Sequence, residues 1–320
     1  MGLTGDAPAW ADFKTMQVDW QPEAAQWDAA HAAAMGSLHQ DWAYGACLKL
    51  MGVRVLRAVV SQDGQPVALA QFSVRRMAGL FIQALCSRGP VWLAPLAPAE
   101  KAMVYRALRR SVGLGPLRIL AVAPEDALGP TVGLPAWRRV MTGASTVTWD
   151  LQTTLEQRRA QLHPEWAAQL TTAEASGLTV HRVGTNPGQY RWLLDLGRDQ
   201  RTERGLQALP VPFYDLYIAA RKQPARSVLS LRADLGRDRV AGVMCLLHGD
   251  AATFQLSWVN PEGASRQALA LLLWHAAQTL AAQGIRRFDL GGVDTREGAA
   301  TALLKIGTGG TVQTFAGTYI

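Results

Sequence analysis

The hydrophobic pattern of this chain runs through one order of elements twice. In the first half, Pro22–Met35 reads as an Ala-rich helix and Gln40–Met51 as a second helix ending at Gly52. Val53–Val60 and the alternating Pro66–Val74 flank an Asp63-Gly64 turn and read as a hairpin. Strand Leu80–Leu85, helix Pro98–Ser111 and strand Leu117–Val122 follow. The second half repeats this order. Helix Leu155–Ala175 precedes strand Thr179–Arg182, helices Pro187–Arg204 and Pro212–Ala220, and strand Ser227–Ala233. After a turn at Gly236–Arg239 come strands Val240–His248 and Ala251–Val259. The apolar helix Ser265–Gln283, stopped by Gly284, leads to the buried strand Arg286–Leu290. Arg88–Leu120 and Val259–Leu290 share one layout of loop, helix, glycine and strand, so duplication is the simplest account. Strands alternating with helices predict an α/β (α+β) chain with a mixed sheet in each half. The expected units are 1–147 and 148–310, with 311–320 as a C-terminal strand.

Composition narrows the classes. At 320 residues, 49% hydrophobic and 18% charged, the chain can bury a large core without metal or disulfide staples. Cys47, Cys86 and Cys245 are far apart and form no CxxC pair, which argues for buried thiols in a cytosolic protein. No apolar run is long enough to span a bilayer, and the first residues lack the pattern of a secretory signal. The net charge of +7 suits an anionic partner: a phosphate ester, RNA or a membrane surface. A solvated basic face accounts for it equally well.

No nucleophile–base pairing stands out. The six histidines are scattered, and His275 reads as a core residue of its helix. A P-loop and a post-strand GxGxxG are both absent, so nucleotide hydrolysis and dinucleotide binding have no support. Lys305 is one of only five lysines, and Gly307, Gly309 and Gly310 follow it. A cation in such a segment can stabilise an oxyanion or neutralise a phosphate; it can also be a surface lysine beside a turn. Arg198, Arg201 and Arg204 share a helix face, with Tyr214 and Tyr217 on the next helix. Arginine forks and tyrosine walls suit a phosphorylated sugar, although an exposed basic stripe fits as well. Trp42, Tyr44 and Lys49 lie in the N-terminal half, and Trp258 ends a strand, where an aromatic is more often core.

Four stretches resemble a known family. Gln40-Asp41-Trp42-Ala43-Tyr44-Gly45 is similar to its Q-S-x-x-W/Y-G, and Arg88-Gly89-Pro90-Val91 to its R-G-P-V. Phe288-Asp289-Leu290-Gly291-Gly292-Val293-Asp294 is close to its F/Y-D-L/F-G-G-I-D. Leu304-Lys305-Ile306-Gly307-Thr308-Gly309-Gly310 is similar to its F-K-x-G-F-G-G. Together they resemble the Fem family of aminoacyl-tRNA-dependent peptidyltransferases that build peptidoglycan bridges. Two tandem acetyltransferase-like (GNAT-like) domains are implied, and the last strand of such proteins often returns to the first domain. Leu304 and Thr308 stand where the family has aromatics, and no coiled-coil insertion is present.

The resemblance implies an aminoacyl-tRNA donor, an amine acceptor on a UDP-sugar or lipid-linked stem peptide, and no cofactor. A monomer is the default expectation and the cytoplasm the expected location, with a peripheral place at the membrane surface as an option. Lys305 is expected at the oxyanion or the donor's 3′-end. Arg204, Tyr214 and Lys49 are expected at the acceptor's phosphates and sugar, Tyr217, Trp42, Tyr44, Arg88 and Trp258 as further substrate-binding residues, and Asp294 at the acceptor ammonium or in ordering the loop. An aminoacyl ester is already activated, so approximation and oxyanion stabilisation suffice without a strong base. Two other functions remain open. One is a CoA-dependent N-acyltransferase on the same fold. The R/QxxGxG/A loop that holds CoA's pyrophosphate is here Arg266-Gln267-Ala268-Leu269-Ala270-Leu271, with Leu269 in place of the first glycine. The other is a binding module without turnover.

Overall fold

A computed structural model of the chain describes residues 15–77, 81–203, 209–221, 223–293 and 299–320. The first half holds strands β1 (Met16–Asp19), β2 (Arg54–Gln62), β3 (Gln65–Met77), β4 (Phe81–Ser87), β5 (Val91–Trp92), β6 (Arg118–Ala123) and β7 (Arg139–Met141). Its helices are α1 (Ala24–Ala33), α2 (Trp42–Leu50) and α3 (Pro98–Ser111). The second half opens with β8 (Ser145–Asp150), α4 (Leu155–Ala160), α5 (Pro164–Glu174) and β9 (Leu178–Val183). Helices α6 (Pro187–Glu203) and α7 (Val211–Ala219) lead to β10 (Val228–Leu235), β11 (Asp238–His248) and β12 (Ala251–Val259). After α8 (Pro261–Ser265) and α9 (Ala268–Ala282) come β13 (Arg287–Gly292), α10 (Ala299–Ile306), β14 (Thr311–Thr314) and β15 (Thr318–Tyr319).

Two mixed sheets result. The first runs β1-β2-β3-β4-β6-β15-β7, with β5 on β3; the second runs β14-β8-β13-β12-β11-β10-β9. In each, antiparallel hairpins end on one parallel pair, β4 with β6 and β12 with β13. Helix α3 covers one face of the first sheet through Val104, Tyr105 and Leu108. Helix α9 is apolar almost all round because it lies between the second sheet and α5. Each of its buried Leu271, Leu272, Leu273 and Leu280 contributes about 1.5–3 kcal/mol of burial.

Several predicted elements divide. The expected helix over Leu155–Ala175 is two, because the chain turns at Leu162-His163 and Pro164, lacking an N–H, starts the second. The expected helix from Ser265 breaks at Gln267, whose φ of +56° is left-handed, so α9 starts at Ala268. The last ten residues form two strands in different sheets: β14 pairs with β8, whereas β15 pairs with β6 and β7.

The halves share a core. Leu38, Ala43 and Cys47 pack with Phe213, Tyr214, Tyr217, Met244 and Leu246. The backbone crosses between the sheets at 142–144 and again at 315–317, and the two crossings lie side by side. Phe315 N–H donates to Ala144 O (3.1 Å) and Ala316 N–H to Asp126 O (2.7 Å). A Cβ on Gly143 would stand 1.8 Å from Phe315 O, so only glycine permits this approach.

Candidate active site

The four family-like stretches meet at the junction of the two sheets. Gln40 lies under the first sheet. Its Nε2 donates to Ser87 O (2.8 Å), and its Oε1 accepts from Gln71 N–H (2.7 Å). Gly45 lets α2 lie on β3, since a Cβ there would stand 2.1 Å from Gln71 Oε1. Arg88 follows β4 with a left-handed backbone (φ +49°), which costs an arginine about 1–3 kcal/mol. Its guanidinium holds that conformation by pairing with Asp289 of β13 and with Glu125. Arg287 closes the cluster, donating to Glu125 Oε2 (3.1 Å) and Met35 O (3.0 Å).

Asp289 is the hub. Burial alone pushes its carboxyl up. Arg88, the Thr146 hydroxyl (2.6 Å), the Gly291 N–H (2.8 Å) and Arg287 outweigh burial and hold it at about 2. Arg88 stays charged for the same reason, since its two carboxylates outweigh its burial. Three residues beyond Asp289, Gly292 O accepts from Lys305 Nζ (2.7 Å). Thr308, at a position where the family has an aromatic, donates to Lys305 O (2.7 Å) and fixes the end of α10.

Lys305 is buried beside an opening in the second sheet. β12 and β13 pair only over Ala251–Thr253 with Arg287–Asp289. The register of β12 against β11 then shifts around Gln255, a bulge that bends the strand away. The equivalent pair in the first half, β4 and β6, stays in register over Ile82–Ser87. The wedge is therefore confined to the second half, and Lys305 Nζ lies 5.8 Å from the Phe254 ring at its apex. On the other side of α10, whose Leu303, Leu304 and Ile306 flank Lys305 in the chain, lies a cleft of ≈480 Å³ lined also by Ser257, Val259, Gln267, Leu269, His163 and Glu165; Lys305 is not among its described lining residues. Among the described lining residues there is no arginine or lysine. The start of α9 faces this cleft, but Arg266 is turned away to Glu262 Oε1 (2.7 Å) and Ser176 O (2.9 Å).

The first half has its own cleft, the first cleft, of ≈280 Å³, between α2 and the first sheet, with His39, Tyr44, Gln71, Arg75, Gln83 and Ser87 in its wall. His39 adjoins the cluster. Burial, then the charge of Arg88, holds its imidazole at about 4, so the ring is neutral at pH 7. Its Nδ1 has no hydrogen-bond partner among the described residues. Tyr44 packs on it with ring centroids 5.1 Å apart, and burial pushes the phenol up to about 12, which keeps it a donor.

The expected site residues are dispersed. Lys305 stands at the wedge, Tyr44 in the first cleft, and Arg88 between the sheets. Lys49 is exposed on α2. Trp42 is a packing residue, with the Arg57 guanidinium 3.7 Å over its ring. Trp258 packs edge-on against Trp192 at 5.9 Å. Tyr214 and Tyr217 are in the shared core instead of forming a wall, because α7 turns them inward against α2. The Tyr217 hydroxyl lies 2.8 Å from Asp41 Oδ2, and Arg221 donates to the other oxygen (2.6 Å). Arg204 and Asp294 lie outside the described residues. Sequence reading missed His39, Asp289 and Glu125. Asp289 stands inside the Phe288–Asp294 stretch, which was the available signal for it; no local pattern marks Glu125 or His39.

Residues 167–298 match the model of a family described as an acetyltransferase (GNAT) domain. Among solved structures, FemX is similar at a TM-score of 0.77, with 12% identity over 95% of this chain and 96% of that one. The chain has a Fem-like tandem GNAT fold. A tandem GNAT protein from the clavulanic acid biosynthesis pathway is similar at a TM-score of 0.52, with 13% identity over 95% and 98% of the two chains. L-PGS from Bacillus licheniformis is similar at 0.52, with 14% identity over 95% and 92%. At these identities the likeness is one of fold. No curated protein matches the chain. In tandem GNAT terms, the wedge and the cleft across α10 from it belong to the second domain and the His39 cleft to the first. No helix of the described residues is long and apolar enough to cross a membrane.

Proposed function

We propose that the protein transfers an amino acid from aminoacyl-tRNA to an amine on a sugar-linked stem peptide. One observation carries this reading. A continuous set of contacts runs from the Gln40 stretch through Ser87, Arg88, Asp289 and Gly292 to Lys305. It puts residues beside the polar cleft of the first half and Lys305 of the second in one contact network, which supports a reaction that draws on both halves.

The donor's ester enters the wedge. The acceptor lies in the first cleft, where Arg75, Tyr44 and the neutral His39 supply charge and hydrogen bonds. The amine nitrogen attacks the ester carbonyl, the carbon–oxygen ester bond breaks, and the ribose oxygen leaves with a proton from the amine. Lys305 faces the negative charge that develops on the carbonyl oxygen, with Gly292 O holding its direction. Approximation supplies most of the remaining rate.

The test is transfer of labelled amino acid from charged tRNA to UDP-linked and lipid-linked stem peptides. Lys305→Ala is expected to lower the rate about 10²–10³-fold. Near-wild-type transfer by a folded K305A protein overturns the assignment. The fold and the open cleft at the start of α9 support a second reading, CoA-dependent N-acylation. Tight acetyl-CoA binding by calorimetry, with no transfer from any charged tRNA, would favour it.

A further inference from the structure

One end of the first sheet carries a surface that, Arg75 apart, neither cleft uses. The register places Met77 of β3 opposite Phe81 of β4. Leu117 continues the row, because its carbonyl accepts from Ile82 N–H (3.0 Å) just before β6 begins. Leu50 and Met51 end α2 at the same end, just before β2 starts. These five large apolar side chains are 36–72% exposed. Exposed apolar residues scattered singly need no explanation, but a row at one sheet end does.

Cations surround them. Lys49, Arg54, Arg75, Arg76 and Arg118 are all exposed, and none forms an ion pair with a described residue. Acids are displaced to the far end. Between Asp41 and Glu125 the sequence holds only Asp63 and Glu100. Asp63 sits in the β2–β3 turn, and Gln62 Nε2 reaches Glu100 Oε1 (3.5 Å). The nine residues of β2 separate the two ends by roughly 26 Å. That exceeds the Debye length of about 8 Å at physiological salt, so the acids do not offset the field at the cationic end.

We infer that this end of the first domain docks on the surface of an anionic phospholipid bilayer, with Met77, Phe81 and Leu117 inserted at the headgroup boundary and the arginines on lipid phosphates. An RNA backbone would satisfy the cations and leave the apolar row wet. A bilayer satisfies both, and stable peripheral binding needs both an apolar and a basic signal. Arg75 belongs to this end and also to the wall of the His39 cleft, so docking would bring the cleft mouth to the lipid surface.

The full chain is to be sedimented with phosphatidylcholine vesicles, with and without phosphatidylglycerol, across a salt series. The expected result is binding to phosphatidylglycerol vesicles and little to phosphatidylcholine alone. R76Q/R118Q lowers partitioning about fivefold per arginine. M77S/F81S/L117S removes the part of binding that survives high salt. All these positions are exposed, and circular dichroism with urea unfolding verifies the variants' fold. No binding of wild type to phosphatidylglycerol vesicles overturns the inference, as does vesicle binding that neither variant changes. Binding of a structured RNA that R76Q/R118Q abolishes, with no vesicle binding, assigns the surface to RNA and overturns it too. Vesicle binding is read without substrate, so it stands or falls separately from aminoacyl transfer.

Discussion

Replacing Asp289 by asparagine tests whether its carboxylate ties the two halves together. The carboxyl is held at about 2 against an ordinary 3.8, which corresponds to about 2 kcal/mol favouring the ionised folded form. Removing one member of a buried pair costs more than this, about 3–5 kcal/mol, because Arg88 keeps its charge with only Glu125 beside it. At pH 7, Asp289→Asn should therefore lower unfolding stability by about 3–5 kcal/mol in urea titrations. The pH dependence has a definite sign. A carboxyl whose folded pKa is depressed contributes stability above 3.8 and loses it as pH falls through about 2. The gap between wild type and D289N should thus narrow between pH 4 and pH 2. In a double-mutant cycle, R88M/D289N should be less destabilised than the sum of the single changes by about 2 kcal/mol. Additivity within about 0.5 kcal/mol, or a gap that stays constant down to pH 2, would refute the hub role.

Three further outcomes follow from the same geometry. His39 should titrate near 4 by NMR; below the unfolded value of 6.5 only the unfolded chain takes the proton, so stability falls with pH by up to about 3 kcal/mol and levels off below pH 4. Gly45→Ala puts a methyl against Gln71 Oε1 and should cost about 1–3 kcal/mol by thermal unfolding, as α2 shifts off β3. Tyr44→Phe should raise KM for the stem-peptide acceptor several-fold and leave the donor's KM unchanged in steady-state transfer assays, since Tyr44 lines only the first cleft.

The repeated order of elements was legible because hairpins and amphipathic helices are written in local periodicity. The Asp63-Gly64 turn and the β2–β3 register around it are of this kind. Short strands were not. β1, β5 and β7 are too short to carry a sequence signature of their own and exist because a neighbouring strand offers an edge. Helix α10 was hidden because its apolar run is only eight residues long and precedes the glycines that drew attention. Lys305 was visible by type, but its position at a splayed strand pair was not. The site's other half was the hardest to see. Asp289 and Arg88 are 201 positions apart, and no local pattern connects them. The tyrosines of α7 show the reverse: Tyr214 and Tyr217 suggest a ligand wall, yet the helix they occupy is needed to seal α2.

The paired crossings at 142–144 and 315–317 have a mechanical consequence. Two antiparallel links, bonded to each other through Phe315 and Ala144, leave no single pivot about which the halves could swing. A clamshell motion would have to tear main-chain bonds on both links. The molecule is better described as a fixed jig than as a jaw, with the spacing between its two sheets set by folding.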